Sequence, residues 1–223
     1  MNADLLRRLN ALRRKRHAAL VVTDTVTGDA RLVSEHDDLA ADPLLPELQA
    51  RFVSGRSGPV AEADHVLITA HLPPPRLVVI GAVHVSQALA PMARLTGFDV
   101  RIVDPRTAFA SSERFPDVDL DARWPADALA ARPLDPHTAL AAVTHDPKID
   151  DAALVAALQA GCFYVGALGS RKTHAKRLDR LANVAGLERI HAPIGLAIDA
   201  QSPAEIAVSI LAEIVSVLRS RGD

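Results

Sequence analysis

The sequence predicts an α/β protein: a Rossmann-like parallel sheet with helices on both faces, preceded by a small α+β unit. Residues 76 to 104, RLVVIGAVHVSQALAPMARLTGFDVRIVD, read as a buried strand, a glycine turn, a helix and a second strand closed by an acid, the opening half of a dinucleotide-binding unit. Further on, the strand patterns LAAVTHD and CFYVGAL alternate with helical ones, as parallel strands joined by crossovers do. The first 72 residues instead carry a hairpin pattern, and Pro73, Pro74 and Pro75 set them apart by removing backbone donors and enforcing an extended path. The expected division is therefore 1–72 for the small unit and 76–223 for the Rossmann domain.

In chain order, residues 3 to 16 form a basic amphipathic helix with Leu5, Leu9 and Leu12 on one side. AALVVTDT and ARLVSEH, separated by Thr27, Gly28 and Asp29, form a hairpin; PELQARFV is a helix and ADHVLITAHL a strand. LVVIG is uniformly apolar, as a strand covered on both faces must be. The next helix runs from about His84 to Thr96, stops at Gly97 and should bend at Pro91, which removes the bond to the carbonyl of Gln87. FDVRIVD and LAAVTHD are the second and third strands. Between them, residues 105 to 137 hold too many prolines for one long element; a short helix or strand near Trp124 is expected, and part of the stretch could cover the site. A helix from about Asp150 to Ala160 ends at Gly161, CFYVGAL is the fourth strand, and a helix from Ser170 to about Ala182 follows. The final helix opens with Ser202, Pro203 and Glu205, a capping box, and its apolar positions wrap far enough round to predict enclosure by the sheet and by the N-terminal unit or another subunit.

Composition narrows the function. Hydrophobic residues make up 49%, and 25 basic residues against 27 acidic ones leave a formal net charge of -2, which provides no global field for gripping a polyanion. The aromatic residues are few and scattered, unlike a base-stacking surface, so no nucleic-acid partner is expected. Cys162 is the one cysteine; it excludes an internal disulfide, fits a reducing compartment and reads as a buried small hydrophobe. The basic N-terminus is followed by too short an apolar run for a signal peptide, and no stretch of about eighteen apolar residues spans a bilayer. The expected location is the cytoplasm, with no membrane partner.

Ligands of open parallel sheets collect beyond the carboxyl ends of the strands. Four such ends carry the candidate cofactor-binding residues: Gly81, Ala82, Val83 and His84; Asp104 and Arg106; Thr144, His145 and Asp146; and Gly169, Ser170 and Arg171. In the G-x-G-x-x-G frame from Gly81 the second glycine is Val83 and the third Ser86. A β-branched residue resists positive φ and fills the volume that pyrophosphate oxygens need, whereas the N–H groups of the following helix still attract anions. Phosphate affinity survives, and NAD(P) is the disfavoured cofactor. Asp104, 23 residues after Gly81, either meets ribose hydroxyls, with Arg106 near a phosphate, or simply opens an Asp-Pro turn. Thr144, His145 and Asp146 cannot all face one way on a strand, so no Ser-His-Asp machine is implied; Asp146 either caps the next helix or meets ligand. Lys172, Lys176, Arg177 and Arg180 read as a solvated face. His84, His145 and Asp146 could converge on a metal, but no H-x-x-x-H or paired-cysteine spacing supports one, and neither a metal site nor a catalytic residue is assigned.

Taken together, LVVIGAVHVSQALAPMARLTGFDVRIVDPRTAF, ERFP, THDPKIDD, FYVGALGSRKTHAKRL and RIHAPIGLAIDAQSPAEIAVSILAEI resemble the XdhC/CoxI family, accessory proteins of molybdenum hydroxylases such as xanthine dehydrogenase and carbon monoxide dehydrogenase. The resemblance runs from about residue 76 to 218. It implies a chaperone without turnover that holds molybdenum cofactor, as molybdopterin or its dinucleotide form, favours its sulfuration by a cysteine desulfurase and delivers it to the apo hydroxylase; a homo-oligomer is compatible with this. The first 75 residues resemble the family poorly: longer members carry a glycine-rich stretch with a cysteine there, and this chain has none before Cys162. The alternatives are an NAD(P)-dependent oxidoreductase and an adaptor with a vestigial cleft.

Overall fold

The computed structural model describes residues 3–220. The chain divides into two compact units between Pro73 and Pro74. In the first, α1 (Ala3–Arg14), β1 (Ala19–Asp24), β2 (Ala30–Ser34), α2 (Leu45–Ser54), β3 (Gly58–Val60) and β4 (Ala63–His71) follow one another, and the strands form an antiparallel sheet in the order β2-β1-β4-β3. β1 alternates strictly: Leu20 and Val22 enter one apolar cluster with Leu48 and Ile68, while Ala19 and Val21 enter another with Leu5 and Leu9 of α1. The hairpin turn holds because the Asp24 carboxylate accepts from the amides of Val26 and Thr27. The edge strand β3 is an addition to the sequence reading; three residues containing Pro59 give no alternation to detect.

The second unit contains β5 (Arg76–Ile80), α3 (His84–Leu95), β6 (Asp99–Val103), β7 (Asp119–Asp121), α4 (Pro125–Ala131), β8 (Thr138–Ala142), α5 (Pro147–Gln159), β9 (Tyr164–Ala167), α6 (Arg171–Arg180), β10 (Ile190–His191) and α7 (Pro203–Ser220). Its six strands are parallel in the order β7-β6-β5-β8-β9-β10, the 3-2-1-4-5-6 order of the Rossmann fold. Leu77 and Val79 of β5 join the core beneath α3 and α7, and Val78 and Ile80 the core beneath α5, which is why that strand is apolar at every position. The chain order reverses between β5 and β8, so the crevice lies where Gly81 and Thr144 leave the sheet.

β7 and α4 are the short strand and helix expected near Trp124, and α3 runs through Pro91 within about the expected bounds. Three sequence expectations change in detail. β10, two residues long, is an addition to the sheet. α5 begins at Pro147, three residues ahead of the expected start, since Asp146 caps it. α7 has its capping box, with the Glu205 amide donating to Ser202 Oγ and the Ser202 amide to Glu205 Oε2, but it is not enclosed all round: Ala207, Ile210, Leu211 and Ile214 are buried and Val208 is open. No helix among the described residues is long and apolar enough to cross a membrane.

Candidate functional site

The crevice begins with Gly81. Its φ is +121°, and a Cβ there would stand 2.8 Å from Thr144 Cγ2 and 3.2 Å from Val143 Cγ2, so both the backbone and the loop after β8 require glycine. The requirement does not extend to position 83. Val83 is extended, φ -101° and ψ 176°, and forms the N-cap of α3 without a side-chain cap. The objection to valine on grounds of positive φ therefore falls, and only its volume remains. Ser86, in the third glycine position, is buried and donates its hydroxyl to the Gly81 carbonyl at 2.6 Å, which ties the first turn of α3 to the glycine turn.

Asp104 is fully buried at the end of β6. Its Oδ2 accepts from the Ala82 amide at 2.7 Å and from Arg106 Nη2 at 2.7 Å, and its Oδ1 from the Arg106 amide and Nε, each at 2.9 Å. Burial pushes this carboxyl up, but the Arg106 fork and the two amides outweigh burial and hold it below the usual carboxylate value. Both oxygens are engaged, so a ribose reaching Asp104 would have to displace Arg106. The acid is first a strut between the glycine turn and β6.

The irregular stretch after β6 borders that turn. Arg114 Nη1 donates to the carbonyls of Ala82 and Phe109, and Arg114 exchanges further bonds with Gln87 of α3. Phe109 stands beneath the Arg106 guanidinium, 4.6 Å from it, and 5.7 Å from that of Arg114. Sequence reasoning placed a covering loop here but missed Arg114, because a proline-broken segment offers no period and its only flag is the ERFP cluster.

Beyond β8 the chain wraps round an acid that sequence reasoning also missed. Asp150 Oδ1 accepts from Thr144 Oγ1 at 2.7 Å and Oδ2 from the His145 amide at 3.0 Å, with His145 at φ +65°. Burial pushes the Asp150 carboxyl up to about 6, against the lowering effect of these bonds. Asp146 caps α5, its side chain accepting from the Lys148 amide. The Thr144 hydroxyl donates to Asp150 and accepts from the Asp146 amide.

Gly169, φ +133°, leads into Ser170, whose hydroxyl caps α6 by accepting from the Thr173 amide, while Arg171 is exposed. The basic residues that follow are not a uniformly solvated face. Arg177 is 2% exposed, with Nη2 donating to the Leu168 carbonyl and Nε lacking a hydrogen-bond partner, and Arg180 forks onto Asp151 at 2.8 and 3.0 Å. With Lys172 and Lys176 they line a cavity of about 270 Å³ shared with His145, Asp150 and Asp151 of the α5 side. Among the described residues no group of three His, Cys, Asp or Glu is arranged to hold a metal ion. Cys162 is fully buried, and burial pushes its thiol up to about 12.

Residues 77–214 match the family model described as the XdhC Rossmann domain. The chain is 36% identical over 144 residues to a probable xanthine dehydrogenase subunit of Bacillus subtilis (strain 168), covering 64% of this chain and 43% of the relative. It is 34% identical over 147 residues to the molybdenum cofactor insertion chaperone PaoD of Escherichia coli (strain K12), covering 64% of this chain and 40% of that one. The chain thus spans about two fifths of the length of these curated relatives. A crystal structure titled as a xanthine dehydrogenase from Bacillus halodurans superposes with a TM-score of 0.70 at 25% identity, over 97% of this chain and 64% of that one. That breadth takes in most of the small first unit, for which the sequence alone showed little resemblance.

Proposed function

Because this chain belongs to the XdhC family, through the Rossmann domain at 77–214, we propose that it is an accessory protein that binds molybdenum cofactor and assists its sulfuration and its insertion into an apo molybdenum hydroxylase. The names of its relatives, an insertion chaperone and a xanthine dehydrogenase subunit, support the reading. The observation that carries it is the glycine turn: Gly81 clears the backbone, α3 opens without a side-chain cap, and Val83 narrows the place where a pyrophosphate would ordinarily lie. Uncapped N–H groups suit the phosphate end of a pterin, and the Arg106 and Arg114 guanidiniums border the same turn.

When bound, the cofactor supplies the dithiolene-held molybdenum that the recipient enzyme uses. Gly81 and the first turn of α3 would seat the phosphate, Arg106 and Arg171 would balance its charge, and the loop carrying Phe109 would shield one side of the crevice. This chain contributes no sulfur: its one cysteine is buried and its thiol is held protonated. Sulfuration therefore calls for a separate cysteine desulfurase, and the chain's part is to hold and present. A cytoplasmic setting accords with that partnership.

Copurification from a cofactor-producing host, followed by oxidation and pterin fluorescence, tests the reading. The wild type should retain pterin and the Arg106→Ala/Arg171→Ala double variant at least fivefold less; a wild type free of pterin would sink it. The complete Rossmann strand order favours a second reading, an NAD(P)-dependent oxidoreductase. Calorimetric titration separates the two, since micromolar binding of NAD(H) or NADP(H) would favour the oxidoreductase.

A further inference from the structure

On the far side of Thr144 from the glycine turn, the cavity between α5 and α6 has a charge imbalance that nothing in the fold requires. Lys172 and Lys176 lie one helical turn apart on α6, where like charges repel, and neither has an acidic partner among the described residues. Arg177 is a third cation in the wall, almost fully buried, its Nε 4.0 Å from Asp151 and without a hydrogen-bond partner. A buried guanidinium with an idle donor is costly unless something completes it.

The nearby acids do not complete it. Asp151 is spanned by the two-pronged bond from Arg180, and Asp150 turns its oxygens to the Thr144 hydroxyl and the His145 amide. Four cations thus line about 270 Å³ of space; Arg180 is neutralised by Asp151, which leaves Lys172, Lys176 and Arg177, and the Asp150 oxygens are turned to Thr144 and His145. Lys172 and Thr173 belong to the first turn of α6, so the positive end of that helix adds to the field. The volume lies below the roughly 300–1,000 Å³ of drug-sized ligand sites, which suits a small anion or one end of a larger ligand.

We infer that this cavity is a phosphoryl-oxyanion site, separate from the glycine turn, with Lys172, Lys176 and Arg177 as its cations. Several ammonium and guanidinium groups lining one small volume suit the three or four oxygens of a phosphoryl group better than the two of a carboxylate. Thr144 is the partition: its methyl group lies 2.8 Å from where a Cβ on residue 81 would be, and its hydroxyl bonds Asp150 in the wall of the cavity. The inference does not depend on pterin binding. The same chemistry could come from free phosphate or from the phosphate ester of a larger ligand.

The test is an amide-shift titration of the ¹⁵N-labelled full chain with inorganic phosphate, with cytidine monophosphate and with cytidine, chloride holding the ionic strength constant. Saturable shifts of Thr173, Lys176 and Arg177 with phosphate and with the monophosphate, and none with cytidine, are expected. Tighter binding of the monophosphate would identify an ester end, and equal binding a free anion; either supports the site. The Lys172→Ala/Lys176→Ala variant should bind at least tenfold more weakly with the rest of its spectrum unchanged, and Lys148→Ala should bind like wild type. Absence of saturable shifts, shifts confined to Ala82–Val85, an equal response to cytidine, or full affinity in the double variant would overturn the inference.

Discussion

Where β5 and β6 end, charge is matched almost bond for bond: Asp104 takes four donors, two of them from the Arg106 guanidinium, and Arg114 spends its own on the carbonyls of Ala82 and Phe109 and on Gln87. Where β8 and β9 end, Lys172, Lys176 and Arg177 surround a cavity whose acids are already engaged. Both regions follow strand termini of one sheet. The first uses polar groups to fix the shape of a turn, whereas the second leaves positive charge over for something outside the chain. Removing a group from the first should cost stability, whatever it does to a ligand, and removing one from the second should cost binding alone.

The largest effect expected is that of Asp104→Ala. It orphans the buried Ala82 amide and unpairs Arg106, and removing one member of a buried pair costs about 3–5 kcal/mol. Urea denaturation should show that loss, while Lys172→Ala/Lys176→Ala should stay within about 0.5 kcal/mol of wild type, as surface changes do. A loss below about 1 kcal/mol for Asp104→Ala would break the contrast. Gly81→Ala ranks next. A non-glycine residue at φ +121° is strained by about 1–3 kcal/mol, and the 2.8 Å approach to Thr144 Cγ2 adds displacement of the loop after β8. Its unfolding midpoint should fall by several degrees, at about 2–4 °C per kcal/mol for a unit of this size.

Asp150, in the second region, ties stability to pH. Its folded carboxyl, at about 6 against an ordinary 3.8, holds its proton more tightly than the unfolded chain does. The folded state is therefore favoured in acid, and this group withdraws stability as pH rises from about 4 to about 6, by at most about 3 kcal/mol. Asp104 is held below its ordinary value and acts in the opposite sense, losing its contribution as pH falls below the carboxylate range. Subtracting the stability of Asp150→Asn from that of wild type across pH 4 to 7 isolates the Asp150 share; a flat difference would mean the carboxyl is not desolvated.

Much of this was legible in the residues. The uniform LVVIG run, the glycine turn and the capping box at Ser202 each have a local physical cause, and the structure shows all three. A short element near Trp124 was legible, and β7 and α4 supply it, but the sheet pairing of β7 and the existence of β10 were not, because strands of two or three residues have no period; the neighbouring strands, through the pairings of Arg101 with Asp119 and of Val165 with Ile190, create them. Arg114 and Asp150 were missed for a related reason. Each acts through a partner distant in sequence or folded back over a few residues, Arg114 on Ala82 and Asp150 on Thr144, and no spacing rule announces such pairs. Arg177 looked like its solvated neighbours, because which face of α6 turns inward is decided by the Leu168 carbonyl and the sheet beneath it.

The smallest stability effect belongs to Val83→Gly, and it tests why the first region would refuse an ordinary dinucleotide. Val83 is an N-cap with extended backbone, a position where glycine costs little, so the loss should be about 1 kcal/mol, mostly from the partly buried side chain, which is the least of any change made in the first region. If the isopropyl group alone obstructs pyrophosphate, calorimetry should show NAD(H) binding at least tenfold more tightly to this variant than to wild type. If affinity stays weak, the obstruction lies with Asp104, whose oxygens are already filled by Ala82 and Arg106 and so offer ribose hydroxyls no acceptor. Val83→Gly combined with Arg106→Ala distinguishes these outcomes, since freeing Asp104 should then restore binding that the glycine alone does not. The charge matching that stabilises the turn would in that case also set its ligand preference.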